Sequence, residues 1–123
     1  MTDESRPGVW VGHIVLKTPR LEASETFMQT LGMRPIFKND GVAILELRGG
    51  THIVLEKCTA DVDGDAEFDL MVDDVDQAHA EYQRVGLAPS EISRGRIHDA
   101  FTVRDPGGAA ITINSSHVSD LHV

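Results

Sequence analysis

Val11-Gly12-His13-Ile14-Val15-Leu16-Lys17 is followed, eighteen residues after His13, by Leu31-Gly32-Met33. The pattern returns as Glu67-Phe68-Asp69-Leu70-Met71-Val72, followed eighteen residues after Glu67 by Val85-Gly86-Leu87. Further along, Gly49-Gly50-Thr51-His52-Ile53-Val54-Leu55 is echoed by Gly107-Gly108-Ala109-Ala110-Ile111-Thr112-Ile113. The offset is 54 residues early in the unit and 58 late, so one connecting loop differs by four residues. Residues 12–57 and 66–114 therefore read as two copies of one unit. A unit of about 50 residues is marginal for a core of its own, so the two should share one. We expect a single domain over 1–123, with module one at 9–58, module two at 66–114 and a polar tail at 115–123.

Within each unit the apolar pattern changes period once. Trp10 to Lys17 reads as a strand, Thr18-Pro19-Arg20 as a turn, and Leu21 to Leu31 as an amphipathic helix stopped by Gly32. Strands follow at Met33–Lys38, Val42–Leu47 and Thr51–Lys57. Asn39-Asp40-Gly41 supplies the first turn, with Gly41 expected at positive φ, and Gly49-Gly50 the second. The second unit repeats this order. A strand runs from Glu67 to Val72, and a helix from Val75 to Val85 is capped by Asp73 or Asp74 and ended by Gly86. A weak strand spans Leu87–Ser93, broken early by Pro89. Strands at Ala100–Arg104 and Ala109–Asn114 flank the turn Asp105-Pro106-Gly107-Gly108. Strand, helix and three strands, twice over, predict an α+β domain. Tandem βαβββ modules would form a curved mixed eight-stranded sheet around a cavity, with the helices on its outer face.

Composition narrows the function classes. The chain has 123 residues, 41% hydrophobic and 25% charged, ordinary values for a globular protein. A net charge of −9 opposes a phosphate backbone, so neither nucleic acid nor an anionic membrane is expected as a partner. No apolar run approaches the roughly 18 residues of a membrane span, and nothing in the polar start suggests export, so a cytoplasmic protein is expected. The single Cys58 excludes an internal disulfide framework and fits a reducing cytoplasm. There is no Gly-x-Ser-x-Gly elbow, no phosphate-binding loop and no cysteine pair for zinc.

Strand residues alternate faces, so chemistry-bearing side chains can be grouped. His13 shares a face with Val11 and Val15. His52, Val54 and Glu56 share another, as do Glu67, Asp69 and Met71, and likewise Ala110, Thr112 and Asn114. The repeat pairs His13 with Glu67 and Val54 with Thr112. An inward row of His, Glu and Asp is costly unless paired or bound to a metal, which marks it as a candidate site. The bland alternatives are a strand-end histidine held by a carboxylate at 13, and solvated edge residues at 52, 56 and 67.

The run from Val11 to Lys17, with Ser24-Glu25-Thr26-Phe27-Met28 and Leu31-Gly32-Met33, resembles the opening of the vicinal oxygen chelate superfamily. That superfamily includes glyoxalase I, extradiol dioxygenases, and the bleomycin- and fosfomycin-resistance proteins. Phe68 to Asp76 resembles its second-module opening. Asp105-Pro106-Gly107-Gly108 before Ile111-Thr112-Ile113 resembles its closing hairpin. The resemblance covers residues 9 to 114 and implies paired βαβββ modules cupped around a small-molecule cavity. It implies one divalent metal (Fe, Mn, Ni or Zn) held from the first and fourth strands of each module, which here are positions 13, 54, 67 and 112. His13 and Glu67 suit a metal; Val54 cannot ligate one and Thr112 is a poor ligand. Glu56 or His52, two residues to either side of Val54, would have to supply a third donor, displaced about 7 Å along the strand.

The metal reading thus rests on His13, Glu67 and Glu56, with His52, Val54, Asp69, Thr112 and Asn114 lining the pocket. His98, beside Asp99 at the rim, is the candidate acid–base. Arg94 and Arg96 are candidate anion contacts, and His79, His117 and His122 read as solvated. Two functions compete. One is a lyase, isomerase or dioxygenase using a divalent metal. The other is metal-free binding or sequestration of a small organic molecule, of the resistance type, with no cofactor. The resemblance also implies a homodimer.

Overall fold

The computed structural model describes residues 6–116, so His117 and His122 lie outside the described residues. Module one contains β1 (His13–Thr18), α1 (Leu21–Leu31), β2 (Arg34–Lys38), β3 (Val42–Glu46) and β4 (His52–Lys57). Module two contains β5 (Asp65–Val72), α2 (Val75–Arg84), β6 (Ser93–Arg94), β7 (Asp99–Arg104) and β8 (Ala110–Ser115). The eight strands form two four-stranded sheets, ordered β1-β4-β3-β2 and β5-β8-β7-β6. In each sheet the first and last strands of the module pair in parallel and the remaining pairs are antiparallel. This is the α+β, tandem βαβββ architecture expected from the repeat.

Helix α1 forms where Leu21, Ser24, Phe27 and Met28 fall on one face and are buried. Its end is set by Gly32, at φ 124°, whose N–H donates to Met28 and Gln29 carbonyls. Helix α2 starts at Asp74, whose carboxylate accepts from the Gln77 N–H at 3.0 Å. Asp73, the other candidate cap, pairs instead with Arg48. Both helices cover one face of their own sheet. Leu16, Leu45, Ile53 and Leu55 of module one and Val103, Ile111 and Ile113 of module two join Phe27, Met28 and Tyr82 in one buried apolar cluster. The Tyr82 hydroxyl donates to the Leu31 carbonyl at 2.9 Å, tying the end of one helix to the other.

Three local expectations change. The first strand begins at His13, not Trp10, because the Val11 carbonyl accepts from the Thr51 hydroxyl in place of a ladder partner. The turn at 39–41 is closed by the Asn39 side chain, which accepts from the Gly41 and Val42 N–H groups at 2.9 Å each. Gly41 does not take the positive φ expected of it. The expected strand 87–93 shrinks to Ser93–Arg94. Ala88 sits at φ 52°, and the Ser90 hydroxyl accepts from the Thr102 N–H at 2.8 Å, replacing a backbone acceptor in the ladder.

Candidate functional site

In β1, Leu16 and Thr18 are buried while His13, Val15 and Lys17 are exposed, so the histidine lies on the face away from the helix. In β4, Ile53 and Leu55 are buried, and His52, Val54 and Glu56 share the open face with His13. The parallel register sets His13 beside His52, Val15 beside Val54 and Lys17 beside Glu56. On the far side of β4, antiparallel β3 sets Glu46 beside His52, Ile44 beside Val54 and Val42 beside Glu56. The open face of module one is therefore three rows deep. An imidazole row lies at one end, an aliphatic row in the middle and a Lys–Glu row at the other end.

The imidazole row is the most organised part. The His13 and His52 rings lie 5.7 Å apart, centre to centre. The other side of His52 meets Glu46, with Nε2 3.1 Å from Oε2. Arg34 donates to the second oxygen of Glu46. The Arg34 guanidinium, then the hydrogen bond from His52, hold the Glu46 carboxyl below its ordinary pKa, so it stays an anion that orients the imidazole. Glu46 was not singled out from the sequence. The signal was there in the alternation Val42-x-Ile44-x-Glu46 across a hairpin, which places residue 46 opposite residue 52.

Module two presents a different lining. Glu67, Asp69 and Met71 are exposed on the open face of β5, beside Thr112 and Asn114 of β8. Asp69 is registered with Thr112 and Met71 with Asn114, while Glu67 lies in the irregular stretch between Asp65 and Asp69. His98 immediately precedes β7, and its Nδ1 lies 2.9 Å from the Ser115 carbonyl oxygen. Arg94 is engaged by Asp76 and Asp99. His79, read as solvated, is half-buried. Its Nε2 lies 2.8 Å from the Ser90 carbonyl oxygen, and its ring meets Phe101 edge-on.

The structure thus brings together His13, His52 and the aliphatic Val54 in one sheet, and Asp69, Thr112 and Asn114 in the other. Strands β1 and β5 are each at a sheet edge, and no ladder joins them. Among the described residues, no three of His, Cys, Asp and Glu gather closely enough to hold a metal ion. Val54 fills one of the four family positions with an isopropyl group, and the neighbouring His52 is already engaged by Glu46. The donor set of one chain does not fit a family-type metal centre. What the face can do is donate and accept hydrogen bonds at two imidazoles beside an apolar floor.

The family model described as "Glyoxalase/Bleomycin resistance protein/Dioxygenase superfamily" matches residues 10–113. No curated protein matches the sequence. Among solved structures, the chain is similar to a lactoylglutathione lyase from Agrobacterium tumefaciens, at TM-score 0.77 and 16% identity over 94% of this chain and 100% of that one. It is similar to a member of the same superfamily from Sphaerobacter thermophilus DSM 20745, at TM-score 0.72 and 17% identity over 88% and 98% of the two chains. It is also similar to TnmS3, an antibiotic binding protein from Streptomyces sp. CB03234, at TM-score 0.68 and 20% identity over 87% and 95%. At these identities the structural likeness speaks for the fold. No helix among the described residues is long and apolar enough to cross a membrane.

Proposed function

Because the chain belongs to the Glyoxalase/Bleomycin resistance protein/Dioxygenase superfamily, we propose that it acts as one domain that binds a small organic molecule on the open face of its sheets, without a resident metal. The observation that carries this reading is the imidazole pair, His13 beside His52 at 5.7 Å, with His52 held by Glu46 next to Val15, Val54 and Ile44. An ordered polar edge against an apolar floor suits a molecule with an oxygen-bearing rim and a flat apolar body. Asp69, Thr112 and Asn114 supply the other wall. An antibiotic binding protein among the structural neighbours has the same fold, which supports sequestration as the biological use.

The lining is divided between two sheets whose first strands are both edges, and Val15 and Met71 on the open faces are 49% and 52% exposed. A cytoplasmic homodimer would cover those edges and faces and bring the His13 face of one copy towards the Glu67 face of its partner. That geometry sustains the second reading, a lyase, isomerase or dioxygenase type of enzyme. In it His13 and Glu67 hold Fe, Mn, Ni or Zn and His98 serves as acid–base at the rim, whereas Glu56, four residues along β4 from the His13–His52 pair, stands at the other end of the face and would not complete the set.

The test uses untagged protein. Thermal unfolding in EDTA is followed against a panel of flat aromatic antibiotics, and sedimentation gives the oligomeric state. One or more compounds should raise the melting temperature with chelator present, and His13→Ala and His52→Ala should each remove most of that rise. Near-stoichiometric uptake of any of the four metals, lost in His13→Ala or Glu67→Ala, overturns the metal-free reading in favour of the enzyme.

A further inference from the structure

One cavity lies away from the imidazole pair. It measures about 920 Å³ and lies at the joint of the two modules, among Ile14, Leu31, Leu47, Phe68, Leu70 and Val72. Ile14 alternates with His13 and Val15 along β1, so these six walls belong to the helix-covered side of the sheets, while Asp69 and Met71 of the open face of β5 also border the cavity. All six side chains sit against the buried core yet are only half-buried themselves. Apolar groups at core positions have been left with a hole in front of them.

The duplication shows why the hole exists. The other end of the joint is closed by a buried polar lock. There the Ser24 hydroxyl donates to Asp105 at 3.0 Å, the Thr18 and Ser24 hydroxyls are 2.7 Å apart, and the Gly107 N–H donates to the same carboxylate at 2.8 Å. With the offsets of the repeat, Thr18 corresponds to Val72, Ser24 to Ala78 and Asp105 to Leu47. Each of the three polar side chains of the lock has an apolar counterpart, and Val72 and Leu47 are walls of the cavity. One end of the joint is sealed by hydrogen bonds. The pseudo-equivalent end has lost them and gapes.

We propose that this cavity is a second small-molecule site, distinct from the imidazole pair, and that it takes a predominantly apolar molecule without negative charge. Apart from the Asp69 carboxylate, the main polar side chains on its walls are already engaged. The Tyr82 hydroxyl is spent on the Leu31 carbonyl and the Thr51 hydroxyl on the Val11 carbonyl. At the rim, Arg48 and Asp73 form a two-pronged pair, at 2.8 and 3.2 Å, whose charges cancel. An anionic guest would find no unspent counter-charge there and would meet the Asp69 carboxylate, whereas an apolar one would replace water against six aliphatic and aromatic walls. The volume is within the range of about 300–1,000 Å³ usual for sites that enclose such molecules.

The probe is N-phenyl-1-naphthylamine, a neutral dye that brightens in apolar surroundings. The full chain should give a saturable, one-to-one rise in emission, unchanged by His13→Ala or His52→Ala. Filling the hole with Ile14→Phe and Val72→Phe together should weaken binding by about tenfold or more while the far-UV spectrum is kept. If the double variant does not fold, Val72→Phe alone is used, and amide shifts induced in the unmodified protein are mapped. Shifts centred on Leu47, Phe68 and Leu70 support the site. The proposal is overturned by the absence of a saturable rise, by binding that survives filling in a folded variant, or by shifts centred on the imidazole face. Binding that disappears as protein concentration is raised means a second copy occupies the cavity, and also overturns it. None of these outcomes depends on the metal or antibiotic experiments above.

Discussion

Replacing Asp105 by Asn tests the lock where its energetics are least symmetric. Asp105 is 2% exposed. Its Oδ2 accepts from the Ser24 hydroxyl and the Gly107 N–H, while its buried Oδ1 has no hydrogen-bond partner. Burial raises the carboxyl above its ordinary pKa, outweighing the two hydrogen bonds that favour the anion. The native state therefore holds this proton to a higher pH than the unfolded chain does. Stability from this group is fully present below the unfolded value, near about 4, and is lost as pH rises through the native one. The slope cannot exceed about 1.4 kcal/mol per pH unit for one proton. Asparagine keeps an acceptor for Ser24 and Gly107, places an amide where the orphan oxygen was, and does not titrate. The amide is a buried unsatisfied donor and costs about 1–3 kcal/mol, but that cost is the same at every pH. Urea unfolding of both proteins at pH 4, 5, 6 and 7 isolates the titration. The variant should gain on the natural chain as pH rises, whatever its absolute rank. A difference that stays flat across this range refutes the account of a proton-linked, partly unsatisfied lock.

Three further outcomes follow from particular contacts. Gly107→Ala should destabilise by about 1–3 kcal/mol, because the new methyl group would press on the Thr18 side chain and come within 2.8 Å of Asp105 Oδ2; Gly12→Ala, with open space around it, serves as the control in the same urea titration. Tyr82→Phe removes the hydroxyl that donates to the Leu31 carbonyl and should cost about 1 kcal/mol by thermal or chemical unfolding. Arg34→Ala should let the Glu46 carboxyl rise towards its ordinary pKa, since the guanidinium is the chief cause of its lowering. A carboxyl-carbon NMR titration reads that shift directly, and an unmoved Glu46 would show that His52 alone holds the anion.

The two sides of the joint explain how much a reader of the sequence could see. Periodicity and turn residues place the strands and helices to within a few residues, because a half-buried strand must alternate and a glycine at positive φ must end a helix. The errors fall where a side chain replaces the backbone in a ladder. Thr51 takes the Val11 carbonyl, Ser90 serves Thr102, and Asn39 closes the turn at Gly41. Such substitutions follow no period. Alternation made legible that His52 shares a face with Val54 and His13 with Val15, whereas setting His13 beside His52 needed the parallel ladder of β1 and β4, and Glu46 and Arg34 needed the antiparallel registers of β3.

The amino-acid sequence by itself determined the duplication, the βαβββ order of each half and the face on which each strand residue lies, since these depend only on local geometry and the period of apolar residues. It also held the substitution of Thr18, Ser24 and Asp105 by Val72, Ala78 and Leu47, but gave those positions no meaning. Only the tertiary structure decided that three residues distant in the chain close one end of a joint while their counterparts leave a cavity at the other. Packing between modules is a non-local balance of volume and hydrogen bonding, and no window of sequence contains both sides of it.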